Sequence, residues 1–121
     1  MAEIDIAVIQ NMLDAMSAQY EQVLKGLDPR TTDFKFIKSE LNIVNLAARY
    51  AYRKHKQHYD WICVNGRWLL ESEQGKEVYR SSSSSCTCMA GLHGKPCKHI
   101  IIAQVLEQIS EEINANTTAN Q

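Results

Sequence analysis

Cys86, Cys88, Cys97 and His99 stand in the order C-x-C-x8-C-x-H within the run Cys86-Thr-Cys-Met-Ala-Gly-Leu-His-Gly-Lys-Pro-Cys-Lys-His99. Three thiolates and one imidazole are a complete tetrahedral donor set for Zn2+, and a set filled by protein leaves no open position for water or substrate. Such a site holds a fold together and does no chemistry of its own. Ligands two residues apart, like Cys86 and Cys88, chelate one ion from a tight turn or strand end, so the first pair reads as a knuckle. The second pair follows Gly94-Lys95-Pro96 and precedes Ile100-Ile101-Ile102-Ala103-Gln104-Val105-Leu106, which places it at the mouth of a helix. Structural zinc in finger peptides binds with roughly 10–16 kcal/mol, enough to make folding of this region depend on the metal.

Other uses of the four residues fit less well. The first 30 residues carry Glu3, Asp5, Asp14 and Glu21 and no basic start with an apolar core, which argues against a secreted disulfide protein. A deaminase-type catalytic zinc needs an H-x-E or P-C-x-x-C companion, and Pro96-Cys97-Lys98-His99 stops short of it. A redox thiol pair, a different metal or no metal at all remain the alternatives. His93 lies in the spacer between glycines and reads as loop. With no paired carboxylates, nucleophile elbow or phosphate-cradling glycine loop, the chain is not expected to be an enzyme. No apolar run approaches the ~18 residues that a membrane span needs, so the expected setting is cytoplasmic, or nuclear in a eukaryote.

Ahead of this region two helices are expected. Ile6, Ile9, Leu13, Met16, Tyr20, Val23 and Leu27 recur at alternating steps of three and four, a heptad seam that ends at Gly26–Pro29. Thr32 or Asp33 would cap a second helix over 34–58, with Ile37, Leu41, Val44, Ala48 and Ala51 on its apolar side and His55 and His58 partly buried beside them. The short connection favours an antiparallel hairpin, closed within one chain or between two copies as a homodimer.

The net charge is only −1, yet residues 1–28 hold five acids and one Lys whereas residues 29–60 hold seven Lys or Arg and three acids. At 100° per residue Lys35, Lys38, Asn42, Asn45, Arg49, Arg53 and Lys56 share one stripe of the second helix, free of acids. Basic side chains at one-turn intervals suit phosphates along a backbone, and Asn between them suits base edges or phosphate oxygens. A solvated face, or one meeting the acidic first helix, is the plain alternative.

The period then changes to two. Tyr59–Val64 and Arg67–Glu71 flank Asn65-Gly66, a type I′ hairpin signal, pairing Cys63 with Trp68 and Trp61 with Leu70. Both Trp side chains then face the core, and Cys63 is expected as a buried thiol. A third strand over 76–80 leads through Ser81–Ser85, read as a flexible connector, to the first ligand pair. Residues 114–121 are polar and aperiodic and are expected as a disordered tail. The expected class is α+β: a helical hairpin over 1–58, then a zinc-stabilised ββ(β)α module over 59–113.

The ligand pattern resembles the SWIM zinc finger, which has C-x-C, a variable spacer and C-x-H, with Lys between the last two ligands and an apolar helix after them. Cys97-Lys98-His99-Ile100 matches it closely, and Trp61–Arg80 resembles the strands that precede the first pair. The likeness covers 61–109. Met89-Ala90-Gly91 departs from the Pro or aromatic that family members often carry there. SWIM domains accompany chromatin remodellers, transposases and recombination factors. The resemblance therefore implies one structural Zn2+ and a role in binding DNA, with a protein-interaction adaptor as the alternative. Lys95 and Lys98 beside the zinc would assist the basic stripe in contacting nucleic acid.

Overall fold

The computed structural model describes residues 4–119, and side chains as far as Ile113. Helix α1 spans Ile6–Lys25; the Asp5 carboxylate accepts the Ala7 amide at 2.9 Å at its start, and Gly26 closes its end. Helix α2 spans Thr32–Lys56 and is capped by Thr31, whose hydroxyl accepts the Phe34 amide at 3.2 Å. The cap lies one residue before the expected pair because Asp28 fixes the connection. Its backbone carbonyl accepts from the Thr31 amide, and its carboxylate accepts the Arg30 amide. The two helices form the expected antiparallel hairpin.

Three short strands follow: β1 Ile62–Val64, β2 Arg67–Glu71 and β3 Val78–Ser81, in an antiparallel sheet of order β1-β2-β3. Asn65 and Gly66 have φ of 53° and 77°, so the turn is the left-handed one that Asn-Gly supplies cheaply, and Cys63 pairs with Trp68 as expected. A one-turn helix α3, Met89–Leu92, and a long helix α4, Lys98–Ala119, complete the described chain. The class is α+β.

One core joins all the layers. Ile9 and Leu13 of α1, Val44, Ala47, Tyr50 and Ala51 of α2, Trp68 and Leu70 of β2, and Ile102, Val105 and Leu106 of α4 form a single buried cluster. Trp61 packs on its edge. The buried faces of the hairpin are thus covered by α4 and the sheet of the same chain, while Val23 of the expected seam, Phe36 and Leu46 stay exposed. Fully buried side chains such as Ile102 and Leu106, 0% exposed, each contribute about 1.5–3 kcal/mol relative to solvent exposure.

The last turns of α2 are held by a polar clamp. The Lys54 ammonium is buried and donates to Glu71 Oε1 at 2.8 Å, the Ser72 carbonyl at 2.7 Å and Gln57 Oε1 at 3.1 Å, using all three of its protons. The Tyr50 hydroxyl donates to the Glu71 carbonyl, and the Tyr59 hydroxyl donates to the Leu69 carbonyl at 2.7 Å. The sheet therefore docks on the Tyr50–Lys54 side of α2. His55, about 100° further round the helix, is left exposed rather than partly buried. His58, past the helix end with φ 57°, is exposed as well.

Three other expectations are corrected. Cys63 is exposed, because β1 is an edge strand and the helical layer covers β2 but stops short of it. The serine run is a hydrogen-bonded turn, not a flexible connector: the Ser82 hydroxyl accepts the Ser84 and Ser85 amides at 3.3 and 3.2 Å. The Ser82 amide donates to the Ser85 carbonyl at 2.8 Å, and Ser81 ends β3 fully buried. The backbone from Asn114 to Ala119, expected as a disordered tail, continues α4; residues 120–121 lie outside the described residues.

Candidate metal centre

The serine turn folds the chain back on β3, so that Cys86 bridges to Ser81 in antiparallel fashion. Thr87 fastens the return: its amide donates to the Arg80 carbonyl at 3.2 Å, and its hydroxyl accepts the Arg80 amide at 2.9 Å. The knuckle then closes around sulfur. The Cys88 amide points at Cys86 Sγ at 3.5 Å and the Gly91 amide at Cys88 Sγ at 3.4 Å. At Cys86 the amide contact favours the thiolate form that a metal needs.

Gly91 is the residue this closure requires. A Cβ at this position would sit 2.1 Å from the Cys86 carbonyl oxygen and 2.9 Å from the Cys86 Cβ. Only glycine lets α3 approach the first ligand that closely. Met89, Ala90 and Gly91 thus build the knuckle from a short helix with a close backbone contact. The chain then turns through Gly94, φ 68°, and Pro96 to bring Cys97 to the start of α4, with His99 in its first turn.

The four side chains converge. Their ligand atoms all lie within 4.8 Å of one another, and all four residues are buried. A tetrahedral zinc with Zn–S of about 2.3 Å would set its sulfurs about 3.8 Å apart, so a small inward movement completes the shell. His99 supplies the sharpest indication, since both its Nδ1 and Nε2 are buried without a hydrogen-bond partner. Unpaired buried polar atoms are costly and rare, and a metal accounts for one of these two. The imidazole is held in place by Tyr50, edge-on at 5.3 Å between centroids, and Tyr79, tilted at 5.0 Å.

The thiols also act on one another. The Cys97 thiol, donating to Cys86, holds the Cys86 pKa down to about 3 against the burial that opposes ionisation. The same contact, with burial, pushes Cys97 up, because a second thiolate would stand beside the first. A divalent cation at the centre removes that conflict and lets every sulfur ionise. A buried set of three sulfur donors and one nitrogen donor suits a borderline or soft divalent metal, and with no open position the centre would be structural.

The expected nucleic-acid residues separate into groups. Lys35, Lys38, Asn42, Asn45, Arg49, Arg53 and Lys56 are all exposed on α2, opposite its buried side. Asn45 lies at the α1 border, where its Oδ1 accepts the Ser17 hydroxyl at 2.9 Å. Lys98 joins the Arg53 end through Glu73, whose carboxylate meets Lys98 Nζ at 2.7 Å and Arg53 at 3.5 Å. The Lys98 ammonium holds the Glu73 carboxyl below its ordinary range, with Arg53 adding to the effect. Lys95 does not join them; it lines a cleft on another side with Glu40, Ser83, Ile100 and Gln104.

Residue types alone do not identify Tyr50, Lys54, Tyr79 and Gly91 as parts of this construction. Ala47, Tyr50, Ala51 and Lys54 do follow the helical i, i+3, i+4, i+7 spacing, but a lysine at the last position conceals it. Searches of protein-family models, of curated proteins and of solved structures find no match to this chain. Among the described residues no helix is long and apolar enough to cross a membrane.

Proposed function

We propose that the chain is a nucleic-acid-binding module of the SWIM kind, in which one structural Zn2+ fixes the C-terminal half and the outer face of α2 contacts the phosphate backbone. The zinc assignment is supported by the buried Cys86, Cys88, Cys97 and His99 cluster with its unpartnered imidazole nitrogens. The binding assignment is carried by one observation: the basic stripe of α2 stays in solvent, while the acids of that helix, Asp33 and Glu40, fall about 180° from its centre. Lys35, Lys38 and Arg49 then offer charge along one line, in keeping with phosphate contact.

Salt dependence tests this reading against a protein-interaction adaptor. Phosphate contacts release counterions, so affinity falls by a log-log slope of roughly 0.7–0.9 per contact, whereas an apolar contact hardly responds. Fluorescence-anisotropy titration of the zinc-loaded protein against labelled DNA and RNA at two salt concentrations is expected to show such a slope. Lys38→Glu with Arg49→Glu is expected to abolish binding and leave the fold intact, since neither residue is buried or part of the Glu73 pair. Undiminished affinity in that double variant would move the site off α2. Salt-insensitive capture of a protein instead would favour the adaptor.

A further inference from the structure

At the edge of the basic stripe α2 carries an aromatic side chain that is not packed into the core. Tyr50 and Tyr59 are packed and hydrogen-bonded to β2 carbonyls. Tyr52, by contrast, is 46% exposed. It stands three residues after Arg49 and four before Lys56, so it borders the stripe at the spacing where helical side chains meet. The Lys56 ammonium lies 4.8 Å from the centre of the Tyr52 ring, a cation–π geometry that fixes the ring at the surface.

An aromatic plate set beside cations is of little use to a duplex, whose bases are enclosed in their own stack. It suits an unpaired strand, because a base can stack on the ring while flanking phosphates meet the cations. We infer that Tyr52 is a base-stacking platform, and that the class of ligand for this face is single-stranded nucleic acid, with Arg49 and Lys56 taking the phosphates on either side of the stacked base. This rests on the nucleic-acid reading above and narrows it. The ammonium of Lys56 sits over one face of the ring, so the base takes the other.

The experiment uses the full zinc-loaded chain and three labelled probes: a short homopyrimidine DNA strand, the corresponding RNA strand, and a mixed-sequence DNA duplex of the same length. Wild-type protein is expected to bind the strands more tightly than the duplex. Tyr52→Ala is expected to weaken both strands by about 5- to 100-fold and to leave duplex affinity unchanged, while Tyr52→Trp keeps or improves strand binding. Arg49→Glu is expected to weaken all three probes. A duplex preference in the wild type, or a Tyr52→Ala effect that is absent or equal on all probes, overturns the stacking assignment and leaves the electrostatic reading standing if Arg49→Glu still acts. Absence of binding to every probe at low salt overturns both. The two strand probes separate DNA from RNA as the source of the same chemistry, and Tyr52 is exposed enough that its substitution leaves the fold undisturbed.

Discussion

At the scale of single residues the metal centre depends as much on what Gly91 lacks as on what the four ligands supply. Its Cα approaches the Cys86 backbone so closely that a methyl group would lie 2.1 Å from the carbonyl oxygen. That obstacle is backbone and cannot rotate away. Gly91→Ala must therefore push α3 outward, lengthening the Gly91 amide contact to Cys88 Sγ, now 3.4 Å, and spreading the first ligand pair. The expected outcome is weaker zinc retention against a chelator and a lowered Tm in the metal-loaded protein, with all four ligands still present. Unchanged retention would mean that the knuckle has room the structure does not show. In sequence this glycine is one of five in the chain, and nothing local distinguishes a close approach from an ordinary loop glycine. The candidate cluster is legible because three sulfurs and an imidazole at C-x-C and C-x-H spacing have few other uses. The contact that seats them depends on a backbone path that side-chain chemistry does not encode.

At the scale of elements, the attachment of the sheet to α2 rests on the Lys54 clamp, and its two partners are unequal. Lys54 is 1% exposed in its side chain and Glu71 28%. Removing the lysine leaves a carboxylate that water can reach. Removing the glutamate leaves an ammonium in the interior without its counter-charge, met by the Ser72 carbonyl, the Gln57 amide oxygen and the rings of Tyr50 and Tyr59. Glu71→Leu is therefore expected to cost roughly 3–5 kcal/mol, and Lys54→Met, whose apolar chain fills the same channel, about 1–2 kcal/mol. Urea denaturation of the two variants measures the difference, and equal costs would show that the ammonium finds solvent. The same clamp explains which elements could be read from sequence. Helices α1 and α2, the Asn65-Gly66 turn and the Cys63–Trp68 register follow from local periodicity and turn chemistry. The exposure of His55 and Cys63 does not, because it depends on where the sheet lands, and the sheet lands where a buried lysine directs it. The serine turn is hidden for a related reason: its order comes from Ser82 hydroxyl and backbone hydrogen bonds and from β3, features that a run of identical polar residues does not reveal.

At the scale of the whole molecule, the candidate metal centre and the hairpin are not independent. His99 packs against Tyr50 of α2, and two residues later Ile101 enters the cluster that also holds Ile9, Leu13 and Val44. Helix α4 thus carries a candidate metal ligand in its first turn and covers the hairpin along the rest of its buried face. Without the metal, the 86–99 segment would have to bury three thiols and an imidazole with no partner for its nitrogens. The start of α4 would loosen, and with it the cover over α1 and α2. A hairpin of two helices with an apolar side returned to water has little stability of its own, since most helix stability in proteins comes from tertiary packing. Chelation is therefore expected to remove far more helix than residues 86–99 contain. Circular dichroism should show the loss in one cooperative transition, with amide exchange accelerating at Ala47 and Tyr50 on α2 as well as around His99. Readdition of Zn2+ should restore both together. If the exchange rates at Ala47 and Tyr50 stayed at their metal-loaded values while the knuckle opened, the hairpin would be a separate domain and the shared core would not transmit the metal's binding energy. If they change together, zinc also sets the shape of the basic face of α2, and nucleic-acid binding should disappear on chelation even though none of Lys38, Arg49 and Tyr52 is a metal ligand.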